Sequence, residues 1–450
     1  MKLLADSPDG LDLTQLISDE VQGDYVYMYP PRQAYRLMAP ESLESSIRTS
    51  LAETADQPVN LYLHFPFCRQ ICAFCNLYSV GTRPDEDYDL YIDLLLREMR
   101  QWAPMLAGRR VDTIYLGGGT PSIVSAALLD RCLAGVEEQF GVTRDAVPEI
   151  AIEVAPDTVD EIKLRNLRGI GITRVNLGLQ TTSDDGLHQI GRRHGFSLAR
   201  KRIEDAINCG FDNVCIDLIY GLPQQDIDSW QAIVSDVLAF GAPTVCAYPL
   251  TLRPNTAFAR RQVDVSGPDQ YVKYDKAREM FTGAGYEQET HVRYVIPGVG
   301  GYQQKKNHWA GQDIVGMGAG ARGYLRHCDY RNGYSIKRRR SALLEYHESM
   351  SNDRRPYNSG IILDRDERMR RQVILGLLNL DREHFRAEFG VAVEEMFPEQ
   401  LTELQRADLV AISPNRIWLT EQGRKYRDLL VQKFFSGEVW RRIAEFDYAE

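Results

Sequence analysis

From Asn60 onward, short apolar runs alternate with longer stretches whose apolar residues recur every three or four positions. The short runs are Leu61–Phe65, Thr113–Leu116, Ile150–Val154, Arg174–Leu177, Asn213–Leu218 and Thr244–Tyr248. Asp85–Trp102, Ser125–Glu138, Thr158–Leu167, Leu198–Asn208 and Ile227–Phe240 lie between them and carry helical periodicity. Strand and helix in strict alternation predict a parallel sheet, because parallel neighbours can be joined only by a crossover. Six strands are too few to close an eight-fold barrel, so the pattern predicts an α/β fold built on an open, partial (β/α)6 barrel. In that architecture the chemistry sits where the C-terminal ends of the strands run into loops.

The flanks read differently. Residues 1–56 form an N-terminal arm, within which Asp24–Tyr35 reads D-Y-V-Y-M-Y-P-P-R-Q-A-Y. Alternation puts Tyr25, Tyr27 and Tyr29 on one face of an extended segment, and Pro30 and Pro31 end it. Such an arm either lies over an active site or covers barrel core. The barrel and its extension span 57–330, and 331–364 is a helix and linker, with the basic run Lys337–Arg340 opening the helix and Asn352–Asn358 as linker. A small α+β domain occupies 365–450. Its helices are expected at Arg365–Leu378, Arg382–Phe389, Phe397–Ala407 and Thr420–Phe434, with a strand at Arg416–Leu419. The order resembles a winged helix, but no basic recognition helix stands out, which favours a structural or substrate-covering role.

Composition narrows the field. At 450 residues the chain is too long for one small core, and 44% hydrophobic with 26% charged residues is ordinary for a globular protein. A formal net charge of -10 disfavours a nucleic-acid binder held by phosphate contacts, so Lys337–Arg340 reads as a solvated helix face. No apolar run approaches membrane-span length, and the acidic Met1–Gln22 lacks the features of a signal peptide. Cys132, Cys209, Cys215, Cys246 and Cys328 are scattered singly and read as reduced, buried small hydrophobes, which suits the cytoplasm.

The other three cysteines change the picture. Cys68, Cys72 and Cys75 form C-x3-C-x2-C directly after the first strand. Thiolates so close can converge on one soft metal centre, and an iron–sulfur cluster is favoured. The competing zinc knuckle needs a fourth Cys or His; His64 lies too close on the strand, and no C-x2-C partner occurs downstream. Three ligands leave one iron of a four-iron cluster open to bind something else. Other strand ends are polar too. Gly117-Gly118-Gly119-Thr120-Pro121 follows the second strand, Glu153 ends the third, Gln180 and then Arg192 follow the fourth, Asp217 ends the fifth, and Tyr248-Pro249-Leu250 ends the sixth. Singly, each is a cap or a turn; together on one rim they are harder to explain so.

These motifs, with I-E-V-x-P, D-L-I-Y-G-L-P and G-M-G-A, resemble the radical S-adenosylmethionine (SAM) enzymes related to oxygen-independent coproporphyrinogen III oxidase, from about Tyr25 to Phe434. The resemblance implies a [4Fe-4S] cluster on Cys68, Cys72 and Cys75 whose free iron is chelated by SAM, and whose electron cleaves that SAM to methionine and a 5'-deoxyadenosyl radical. It places Tyr62, Gly118, Glu153 and Arg322 around the first SAM. A second SAM would meet Phe74, Gly119, Thr120, Gln180, Arg192, Asp217 and Pro249. The further cysteine that coproporphyrinogen oxidases carry two residues after the third ligand is Leu77 here. The H-N-x-x-Y-W of the family's heme chaperones is Gln304-Lys305-Lys306-Asn307-His308-Trp309, with no histidine at its start, and His308 is read as a hydrogen-bonding loop residue in preference to a heme ligand. These departures lead to the expectation of a class C methyltransferase or cyclopropanase of a natural-product pathway, transferring a SAM-derived methyl or methylene group to an sp2 carbon. Alternatives are coproporphyrinogen III oxidase, a heme-binding chaperone or a heme-opening methyltransferase. Expected partners are a small-molecule substrate, a reductant such as flavodoxin or ferredoxin, and a second pathway enzyme, with neither nucleic acid nor membrane.

Overall fold

A computed structural model describes residues 4–333 and 339–446. The six expected strands are present: β1 (Val59–Phe65), β2 (Val111–Gly118), β3 (Glu149–Val154), β4 (Arg174–Gln180), β5 (Asn213–Tyr220) and β6 (Thr244–Pro249). Each lies parallel beside the next in chain order. A seventh, β7 (Ile314–Met317), joins in parallel on the far side of β1, its Met317 opposite Leu63. The run of four apolar residues is short and followed directly by glycines, which hid it among the loop segments. Antiparallel strands extend both ends of the row, so the sheet has two free edges and the barrel stays open.

Crossover helices cover the outside, and their caps decide where they begin. Helix α1 (Asp85–Leu106) starts with Asp85, Glu86 and Asp87 at the positive end of its dipole, and buries Tyr88, Tyr91, Ile92, Leu95, Met99 and Trp102 along one stripe. Helix α2 (Ala126–Phe140) is capped by Ser125 and ended by Gly141 in the left-handed region. The helix expected from Thr158 begins later, as α3 (Glu161–Gly169), because the Asp160 carboxylate accepts the Lys163 amide at 2.8 Å and takes the cap position. Helices α4 (Phe196–Asn208) and α5 (Ile227–Leu238) complete the crossovers.

The arm is not wholly extended, since it contains a helix at Pro40–Glu53 and a two-residue strand, Arg36–Leu37, on the sheet edge. The stretch read as linker runs into a strand, Tyr357–Ile362, of the same sheet. The side chains of the basic run Lys337–Arg340 lie outside the described residues. Residues 365–446 form helices around a three-stranded antiparallel sheet. The helix expected over Thr420–Phe434 is broken into Glu421–Lys425, Arg427–Leu430 and a 3-10 turn at Val431–Phe434. Val26, Met28 and Tyr29 of the arm share one apolar core with this C-terminal region, separate from the barrel core. No described helix is long and apolar enough to cross a membrane.

Candidate functional site

One cavity of about 570 Å³ opens at the C-terminal ends of the parallel strands, where the pattern of apolar runs placed the chemistry. Cys68, Cys72 and Cys75 border it. So do Tyr62, Phe74, Gly118, Gly119, Thr120, Glu153, Gln180, Arg192, Asp217, Pro249 and Arg322, so the fold brings every candidate site residue to one place.

Two glycines hold the cysteine loop against β2. A side chain on Gly119 would lie 2.5 Å from the Phe67 carbonyl oxygen and 3.0 Å from the Cys68 sulfur. The closeness lets the Gly119 amide donate to the Phe65 carbonyl at 2.8 Å and the Thr120 amide to that of Phe67 at 2.7 Å. Gly118 has a φ of +118°, and a Cβ there would meet the His64 ring at 2.6 Å. The Thr120 hydroxyl sits 3.6 Å from the Cys68 sulfur, while burial raises the Cys68 thiol above its ordinary pKa. Three soft thiolates on one cavity wall, with no fourth protein ligand in the loop, suit an iron–sulfur cluster that keeps one iron open.

Glu153 is the best-defined polar group of the rim. Its carboxylate accepts the Gly118 amide at 3.0 Å through Oε2 and the Tyr115 hydroxyl at 3.0 Å through Oε1. Asn176 in turn donates to the Tyr115 hydroxyl at 3.0 Å. Burial outweighs these contacts and pushes the carboxyl up to about 7. Tyr62 pairs with His64 Nδ1 at 2.9 Å, and burial holds that imidazole neutral, with its pKa lowered to about 4. Gln180 adopts a φ of +74°, rare for a side-chain-bearing residue, at a register shift between β4 and β5. Asp217 sits over two facing thiols, Cys215 and Cys246, whose sulfurs are 3.7 Å apart, and burial raises its carboxyl well above the usual range. Those two cysteines, read as isolated core residues, are therefore neighbours on the barrel's inner face.

Two elements from outside the six-strand pattern close the cavity. Tyr25 and Tyr27 of the arm border it, whereas Tyr29 turns away to pack on Phe435 at 4.9 Å between ring centroids. The short helix α6 (Gln303–Trp309) contributes Gln304, Lys305 and His308. His308 is helical rather than a loop residue, and its buried Nε2 has no hydrogen-bond partner, contrary to the expectation of a hydrogen-bonding loop histidine. Lys305 was visible only as one of several donors in Tyr302–Trp309, with nothing in the spacing to single it out.

Residues 62–237 match the Radical SAM superfamily, and residues 363–426 match the HemN C-terminal domain. Heme chaperone HemW of Escherichia coli is 31% identical over 275 residues, which cover 61% of this chain and 72% of that protein. The chain belongs to the radical SAM family of coproporphyrinogen III oxidase-like proteins. Heme chaperone HemW of Lactococcus lactis is 28% identical over 393 residues, 85% of this chain and 99% of that protein. The oxygen-independent coproporphyrinogen III oxidase of Salmonella typhimurium is 28% identical over 402 residues, covering 85% and 86%. The solved structure of coproporphyrinogen III oxidase (HemN) from Escherichia coli superposes with a TM-score of 0.78 at 25% identity, covering 92% of this chain and 99% of that one.

Family membership brings with it a [4Fe-4S] cluster and SAM as cofactors, and a need for a reductant. It also corrects the expectation of a methyltransferase or cyclopropanase of a natural-product pathway. The curated relatives are heme chaperones and coproporphyrinogen oxidases, and they match over nearly the whole chain. That expectation leaned on the full second-SAM set together with Leu77 and with the histidine replaced by Gln304 in α6. Leu77 is 45% exposed and borders the cavity beside the three cysteines without being one of the ligands.

Proposed function

We propose that this protein carries out radical SAM chemistry on a carboxylated tetrapyrrole, as an oxygen-independent oxidase of the coproporphyrinogen III type. The observation that supports this most is the single cavity running from the three cysteines to a wall of aromatic rings and cations, Tyr25 and Tyr27 with Lys305 and Arg322. Flat apolar faces suit a macrocycle, and the cations suit its peripheral carboxylates. Full-length similarity to coproporphyrinogen III oxidases points the same way.

In this reading Cys68, Cys72 and Cys75 hold the cluster, and Tyr62, Gly118, Glu153 and Arg322 hold SAM. When bound, the reduced cluster and SAM supply a hydrogen-abstracting radical. Each propionate that becomes a vinyl group would give up one hydrogen atom to that radical, CO2, and one electron to an external one-electron acceptor. The chain's own part is to fix the substrate edge beside the cofactors and to keep water out, which the arm and α6 do by covering the strand ends. Gln180, Arg192 and Asp217 border the same cavity and would take a second SAM, a stoichiometry that equilibrium binding counts directly. Anaerobic incubation of cluster-loaded protein with coproporphyrinogen III, SAM and a reductant should yield vinyl products with 5'-deoxyadenosine. An intact cluster that cleaves SAM yet forms no vinyl product would overturn the oxidase reading.

A second reading, heme binding, draws on the unpartnered His308 Nε2 at the cavity wall and on the HemW relatives. A Soret shift on heme titration that His308→Ala abolishes would favour it.

A further inference from the structure

The two faces of α6 treat their lysines differently. Lys306, on the outer face, pairs with Glu289 at 2.7 Å. Lys305, one residue before it, borders the cavity, and among the described residues no carboxylate forms an ion pair with it. Its ammonium lies 5.3 Å from the centre of the Tyr27 ring. On the same ring, also at 5.3 Å, is the Arg322 guanidinium, which further meets the Met28 sulfur at 3.0 Å and lies 5.9 Å from the centre of the Tyr324 ring. Two cations thus converge on one phenol in the cavity wall, with no carboxylate between them.

The consequence shows on each group. Burial alone would raise the Tyr27 hydroxyl, yet Arg322 beside it brings it down to about 8. Burial lowers the Lys305 ammonium to about 8; Tyr27 opposes the shift, while Arg293 and Arg322 add repulsion. The cavity acid that feels Lys305 is Glu153, and it is already engaged by Tyr115 and Gly118 and held near neutral by burial. With Tyr27 as its near acid and no carboxylate partner, a desolvated Lys305 ammonium is costly, and a ligand carboxylate placed there relieves the cost by charge-assisted hydrogen bonds.

We propose that Lys305, which shares the Tyr27 ring with the SAM-facing Arg322, takes a peripheral carboxylate of the substrate. The inference rests on the tetrapyrrole reading above and adds the residue that recognises the acid. SAM also carries a carboxylate, so the test separates the two sources.

Binding of coproporphyrin III, and of its tetramethyl ester in the same detergent, is measured by fluorescence with cluster-loaded protein, alongside SAM affinity. Lys305→Met should weaken the tetra-acid by at least about tenfold, as loss of a charge-assisted contact does, and leave the ester within about twofold. Lys305→Arg should restore most of the loss. If Lys305→Met binds the acid as well as the unmodified protein does, the subsite is wrong while the tetrapyrrole reading stands. If SAM affinity falls in step with that for the acid, the carboxylate held is that of SAM and the proposal is overturned. If the unmodified protein binds neither porphyrin, the reading fails and the subsite with it.

Discussion

At the scale of single residues, Glu153 carries a testable pH signature. An ordinary glutamate in the unfolded chain ionises near 4.5, whereas burial in the fold holds this carboxyl to about 7. Between those values the folded chain binds more protons than the unfolded one, so stability falls as pH rises through that window. Glu153→Gln keeps an acceptor for Gly118 or Tyr115 but cannot ionise. The stability difference between the variant and the unmodified apo protein should shift by on the order of 3 kcal/mol from pH 4.5 to pH 8, in the variant's favour at high pH. Denaturant unfolding across that range reads it directly, and other buried acids such as Asp329 cancel because both proteins share them. Glu153 was legible beforehand because it ends a strand, and so were Gln180 and Asp217. Lys305 and His308 were not, because they reach the cavity on a helix that follows β6 by more than fifty residues. No local spacing reports such a long-range approach.

At the scale of elements, apolar periodicity located the crossover helices to within a few residues, and caps account for the differences, as Asp160 does for α3. What periodicity missed are elements held by a few buried polar contacts. Glu98 of α1 is fully buried and lies on the helix's inner side. Its carboxylate accepts the Gly318 amide at 2.7 Å, the Asn332 amide at 2.8 Å and the Tyr346 hydroxyl at 2.7 Å. Those three donors lie in the turn after β7, in the strand Cys328–Asn332 and in the helix Arg339–Ser351. One side chain therefore ties α1 to the seventh strand, the element that the apolar pattern failed to show. Glu98→Ala would strand three buried donors and should lower stability by about 3–5 kcal/mol; Glu98→Gln, whose amide oxygen still accepts, should cost clearly less. Equal losses in the two variants, measured by urea unfolding, would mean that the intact carboxylate is indispensable and that an amide oxygen cannot replace it there.

At the scale of the whole molecule, the arm and the C-terminal region act as one body. Tyr29 donates to Glu367 at 2.6 Å and accepts the Ser436 amide at 3.0 Å, while the Val26 amide donates to Asp428 at 3.1 Å. Between these two anchors lies Tyr27, which borders the cavity. The C-terminal region thus supports the site through the arm it holds in place and through Trp309 and Tyr324, which pack on its core. Tyr29→Phe removes the hydroxyl alone, leaving Glu367 one donor short and the Ser436 amide without its acceptor. The expected cost is about 1–3 kcal/mol in stability, seen as a lower Tm. Because the cysteine loop is held by β1 and β2, iron and sulfide content should stay at the unmodified level while affinity for coproporphyrin III falls. Parallel loss of iron would show instead that the arm supports the cluster loop, and unchanged porphyrin affinity would show that Tyr27 keeps its place without this anchor.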